Sequence, residues 1–80
     1  MVTVKLYGAL RLRCGLKEMS FYASSVKEAC QLLARATGVD MKEFKKSSFF
    51  VNGKEVKVGT SLSAGDELVL LAPPQGGLAK

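Results

Sequence analysis

An uninterrupted aliphatic run, Leu68-Val69-Leu70-Leu71, decides most about how this chain folds; it lies between the turn pair Gly65-Asp66 and the strand breakers Pro73-Pro74. A short apolar run with such borders reads as a central strand buried on both faces, so other segments must supply the strands beside it. Val2, Val4 and Leu6 alternate with Thr3, Lys5 and Tyr7, which predicts a first strand with one aliphatic face on the core. Gly8 ends it, and Ala9 to Gly15 reads as a loop with one helical turn. Met19, Phe21 and Ala23 then alternate with Glu18, Ser20 and Tyr22; the short separation predicts an antiparallel hairpin with the first strand.

Ser25 and Glu28 have the spacing of a capping box, so a helix is expected from Val26. Val26, Ala29, Cys30, Leu33, Ala34 and Thr37 recur at steps of three and four and form one apolar stripe, which Gly38 is placed to end. Met41 to Lys46 suggests a short second helix through Met41 and Phe44. Phe49-Phe50-Val51 runs into Asn52-Gly53, the strongest two-residue hairpin signal because both turn positions need positive φ, and a tight return through Lys54-Glu55-Val56 follows. The predicted class is α+β, a mixed sheet of four to five strands with one main helix packed on one face. The first strand and Leu68 to Ala72 are separated by a helix and can therefore lie side by side in parallel. Residues 1–74 are expected to form the domain and residues 75–80 a flexible tail.

With 80 residues the chain makes one modest core and cannot enclose a deep pocket with its own walls. It contains no histidine, which removes the commonest general base near neutral pH and the most frequent zinc ligand. Cys14 and Cys30 lack metal or redox spacing; Cys30 falls in the helix stripe and reads as a small apolar core residue. Reduced thiols and the lack of a membrane-length apolar segment or a leader pattern predict a cytoplasmic protein. The net charge of +5 suits an anionic partner, but its basic residues are spread, with only Lys42, Lys45 and Lys46 clustered and no interleaved aromatics. Neither nucleic acid nor membrane is expected as a partner.

Four segments, in order, carry a resemblance: Leu6-Tyr7-Gly8-Ala9-Leu10-Arg11 followed by Gly15, then Val51-Asn52-Gly53, then Gly65-Asp66-Glu67, and finally Pro73-Pro74-Gln75-Gly76-Gly77. Together they resemble the MoaD/ThiS-type ubiquitin-like sulfur carriers of β-grasp fold, and most of all the MoaD branch, the small subunit of molybdopterin synthase. The thiamine-pathway carriers share the Gly-Gly end but generally lack the aromatic-Gly-x-Leu-Arg segment and the proline pair.

The resemblance implies a protein that is not catalytic alone. A ubiquitin-activating-enzyme-like adenylyltransferase, which itself binds the ATP, would adenylate the carboxylate of Gly77, with Gly76 as its spacer. Sulfur would replace AMP, and the thiocarboxylate would serve molybdopterin synthase; no cofactor is expected on this chain. Glycines at such an end allow close approach to a partner's narrow site. The resemblance also implies docking of Tyr7, Phe50 and Leu71 on the synthase large subunit, with Arg11, Pro73, Pro74 and Gln75 as further contacts and Arg13 beside them. Core packing is the competing account for the apolar three, and solvation for the arginines. Two departures stand out: Leu78-Ala79-Lys80 follows the glycine pair, so a protease must first cut after Gly77, and the proline pair lies one place nearer to the glycines than is typical. A carrier for thiamine, amino acid or tRNA thiolation, a protein modifier, and a ubiquitin-like interaction module that is never activated are the alternatives.

Overall fold

The computed structural model describes residues 1–72, so Pro73, Pro74, Gln75, Gly76, Gly77 and residues 78–80 lie outside the described residues. In chain order the elements are β1 (Val2–Tyr7), α1 (Ala9–Cys14), β2 (Glu18–Phe21), α2 (Val26–Thr37), α3 (Met41–Lys45), β3 (Ser48–Val51), β4 (Lys54–Val56) and β5 (Glu67–Leu71). They build one five-stranded sheet in the order β2-β1-β5-β3-β4. The β1–β2 and β3–β4 pairs are antiparallel hairpins, and β5 joins them, parallel to β1 and antiparallel to β3. The expected mixed sheet and the parallel pairing of first and last strands are therefore both present.

The aliphatic run does occupy the middle of the sheet, but it is buried on one face only. Leu68 and Leu70 are fully buried, Val69 is half-buried, and Leu71 is 43% exposed. The reason is the strand's period of two: successive side chains point to opposite faces, and the helices cover just one of them. On the covered face Val2, Val4, Leu6, Leu68, Leu70 and Phe49 meet the apolar sides of the helices. Leu33, Phe44 and Leu10 are the largest side chains that the helical layer contributes to this core. Each such burial stabilises the fold by about 1.5–3 kcal/mol relative to an exposed side chain.

The segment after β1 is more regular than its sequence suggests, a six-residue helix with Leu10 buried and Leu12 exposed to solvent. At Gly8, φ is 69° and ψ is −144°, a combination essentially restricted to glycine, and its backbone packs beside Ala72 where β5 ends. That conformation turns the chain from the sheet into the helical layer within one residue.

Helix α2 starts and stops where its sequence predicts. The Ser25 hydroxyl accepts a hydrogen bond from the Glu28 amide at 3.1 Å, and the helix closes at Gly38 in the left-handed region. The other half of the capping box differs: the Glu28 carboxylate accepts from the Ser24 amide at 2.6 Å and from the Ser24 hydroxyl at 2.9 Å, one residue further out than the reciprocal bond would be. These bonds hold the Glu28 carboxyl below its ordinary range. Cys30 is fully buried in the stripe, and burial pushes its thiol up to about 11, as its reading as a core residue implies.

The β3–β4 turn has φ of 51° at Asn52 and 87° at Gly53, the double positive φ of a two-residue type I′ hairpin. Asn52 also has a long-range role that no local pattern announces. Its backbone amide donates to the Glu67 carbonyl at 2.9 Å, and its side-chain oxygen accepts from the Glu67 amide at 3.0 Å. Its side-chain nitrogen donates to the Asp66 carboxylate at 3.1 Å, so the hairpin tip is fastened to the start of β5.

Candidate functional site

The exposed face of the sheet is built by register. Across its middle, Glu18 lies opposite Lys5, Lys5 opposite Val69, Val69 opposite Phe50 and Phe50 opposite Glu55. One row further along, Tyr7 lies opposite Leu71, and Leu71 opposite Ser48. Partners in register share a face, so Tyr7, Leu71, Val69 and Phe50 form one apolar patch on the side that the helices leave open. Tyr7 is 44% exposed and Leu71 43%, while Phe50 and Val69 are half-buried between their neighbours. The three apolar residues singled out from sequence are thus brought together on the open face, outside the buried core. Val69 was missed; its parity with Leu71, two residues on, is the signal that could have found it.

Beyond the patch the same face turns polar. The Lys5 ammonium lies 2.8 Å from the Glu67 carboxylate, and that contact, first through its hydrogen bond and then through charge, raises the Lys5 pKa above its ordinary value. Both groups are substantially exposed, so the pair orients side chains more than it stabilises the fold.

Arg11 stands on α1 and not on the sheet, but it lines a shallow hollow with Lys5, Leu6, Tyr7, Lys17 and Glu18 at the end of β1. It is exposed and makes no salt bridge among the described residues, which leaves its five donors available beside Tyr7. Arg13 behaves otherwise: its guanidinium lies 3.3 Å from the Glu43 carboxylate, which ties α1 to α3 within the molecule. Lys46 approaches the same carboxylate at 3.8 Å.

Because β1 and β5 are parallel, their ends coincide. Tyr7, Gly8, Leu71 and Ala72 therefore gather at one end of the sheet, where the chain continues past Ala72. Pro73, Pro74, Gln75, Gly76 and Gly77, the remaining residues of the site expected from sequence, lie outside the described residues. Among the described residues no three His, Cys, Asp or Glu side chains gather as metal ligands, and no helix is long and apolar enough to cross a membrane. Cys14 is half-buried and its thiol pKa is raised by desolvation, so it lacks the thiolate character of a nucleophile.

No protein-family model matches the chain, and no curated protein does. Solved structures do match it along nearly the full length. The solution structure of small archaeal modifier protein 1 from Methanosarcina acetivorans superimposes with a TM-score of 0.80 at 23% identity, covering 95% of each chain. Small archaeal modifier protein 1 from Haloferax volcanii gives a TM-score of 0.74 at 24% identity, over 95% of this chain and 98% of that one. The complex of subunits 1 and 2 of the Helicobacter pylori molybdopterin-converting factor gives 0.68 at 23% identity, over 95% of this chain and 97% of its match. The architecture is therefore the ubiquitin-like β-grasp, the fold of these proteins, in line with the resemblance read from the sequence.

Proposed function

We propose that this chain is a cytoplasmic sulfur carrier with a folded body of residues 1–74 and a working tail of residues 75–80. Proteolysis after Gly77 removes Leu78-Ala79-Lys80 and frees a carboxylate. A ubiquitin-activating-enzyme-like partner, holding the ATP, joins that carboxylate to AMP with release of pyrophosphate. A sulfur nucleophile then displaces AMP to leave a thiocarboxylate on Gly77. The recipient is the molybdopterin precursor within molybdopterin synthase, whose large subunit docks on Tyr7, Leu71 and Phe50.

The observation that carries this reading is the coincidence, at one end of the sheet, of the apolar patch and the point where β5 hands over to the tail. Five residues have a maximum contour of about 17 Å, a length that would let Gly77 enter a partner's active site while the body stays docked on its open face. Glycine at the reacting end removes the side chains that would obstruct that entry. Arg11, without a salt bridge among the described residues, offers a fork of donors to a carboxylate on the partner.

Incubating a form that ends at Gly77 with a cognate activating enzyme, ATP and a sulfur donor should yield a C-terminal thiocarboxylate, read as a mass change confined to the last peptide. Absence of that product with an activating enzyme shown to work on its own carrier rejects the reading. A second reading is favoured by the two neighbours named as modifier proteins: attachment of Gly77 to lysines of other proteins. Isopeptide-linked conjugates of the trimmed chain in its native cell would select it, whereas a free chain retaining residues 78–80 throughout would select an interaction module that is never activated.

A further inference from the structure

We propose that Asn52-Gly53 is a self-modifying site, restrained by the fold, at which deamidation irreversibly loosens the β3–β4 hairpin from β5. The inference is independent of any sulfur chemistry. In an Asn-Gly pair the following residue has no Cβ, so its backbone nitrogen reaches the asparagine carboxamide with little obstruction. The Gly53 nitrogen attacks Asn52 Cγ and gives up its proton to water. The bond from Cγ to Nδ2 then breaks, ammonia leaves, and a five-membered succinimide remains. Water opens that ring at either carbonyl, giving aspartate or isoaspartate. One water is consumed and one ammonia released, with no change of oxidation state.

Sequence and exposure both favour the reaction: the pair is an exposed turn at the end of a hairpin. What opposes it comes from the neighbouring strand, at the start of β5 beside the turn. The carboxamide is held on the β5 side by both of its polar atoms, Oδ1 by the Glu67 amide at 3.0 Å and Nδ2 on the Asp66 carboxylate at 3.1 Å. Turning the carboxamide for attack by the Gly53 nitrogen would strain both of these bonds. The reaction is thus gated by local opening of the hairpin tip, and the folded chain protects a bond that the unfolded chain exposes.

The product does not close again. A carboxylate at position 52 has no N–H for Asp66 and places a second negative charge where Nδ2 had been, against a carboxylate that the Ser63 amide and Asn52 hold below its ordinary pKa. Isoaspartate also lengthens the backbone by one atom inside a two-residue turn, which disturbs the pairing of Phe50 with Glu55 and of Val51 with Lys54. Since Phe50 lies opposite Val69 on the open face, the change carries into the apolar patch.

The full chain is aged in mildly alkaline buffer made with heavy-oxygen water, and label uptake at residue 52 is followed by peptide mapping, for the native protein and for the same protein unfolded in urea. Native deamidation slower than in urea supports the gate; equal rates overturn it. Asp66→Ala, which removes one restraint, should raise the native rate roughly fivefold, the factor expected for a lost hydrogen bond; no increase overturns the role of Asp66. Should that variant fail to fold, two others carry the test. Asn52→Asp lowers the melting temperature by roughly 5 °C, and Asn52→Asp combined with Asp66→Asn recovers it by exchanging donor and acceptor. An Asn52→Asp protein that melts with wild type, or a double variant that melts with the single one, overturns the loosening.

Discussion

The two faces of the one sheet are made from the same strands and differ in what lies on them. On the covered face, Leu6 and Leu70 are 1% and 0% exposed, whereas the next residues on the same strands, Tyr7 and Leu71, are 44% and 43% exposed. A single step along the backbone separates a core position from an exposed one. The difference teaches that hydrophobicity at the end of β5 reads the same on both faces, buried on one side and open to solvent on the other, and that only the position of the helical layer tells them apart.

The sharpest way to break this comparison is to truncate the neighbours. Leu70→Ala should destabilise the protein by about 2–5 kcal/mol, enough to unfold much of a domain this small, and Leu71→Ala by less than about 1 kcal/mol. Urea denaturation of both variants measures it, and similar losses would show that the open face is also structural. Gly8→Ala, at the point where the chain crosses from the sheet to the helical layer, should cost about 1–3 kcal/mol. Because an added Cβ would meet Ala72 only at ordinary contact distance, 3.5 Å, the cost comes from the backbone dihedrals, and larger residues should add little to it.

Alkaline pH separates the faces by another route. Cys30, on the covered side, has a folded pKa pushed up to about 11 from an ordinary 9.0, so its contribution is complete below pH 9.0 and is lost as pH rises toward 11. Lys5, on the open side, is raised above 10.5 by Glu67, so its contribution is likewise complete below 10.5 and is lost as pH rises through the folded value. Salt should weaken the Lys5 part and leave the Cys30 part, and Cys30→Ala should reduce the loss that begins near pH 9.0, the remainder belonging to Cys14, whose thiol is also raised by desolvation. The smallest expected effect on folding is that of Tyr7→Ala, within about 1 kcal/mol by thermal melting. In a pull-down against the activating enzyme or a synthase large subunit, the same change should abolish capture.

Local signals were legible where one residue or one period carries them. The double positive φ at Asn52-Gly53, the cap at Ser25 and the stripe through Leu33 could each be read from a few neighbouring letters. Sequence also placed Leu68 to Leu71 at the centre of the sheet, since few other positions suit four successive aliphatics. It overstated their burial because a run without polar residues conceals the alternation of faces, and nothing in the run says how many helical layers exist. The attachment of Asn52 to Asp66 and Glu67 depends on a pairing across more than a dozen residues, and the retention of Arg13 by Glu43 depends on how α1 and α3 meet; neither has a local signature. On the open face, Tyr7 is legible by being out of phase with Val2, Val4 and Leu6, whereas Val69 needs the register with Phe50.

The placement of β5 between β1 and β3 has a consequence for biosynthesis. The β1–β2 and β3–β4 hairpins share no ladder of their own, and the strand that unites them follows both in chain order. Until Leu68 and Leu70 emerge, the nascent polypeptide holds two separate ribbons with unpaired inner edges, which makes the interval before β5 pairs a period of exposure to misassociation.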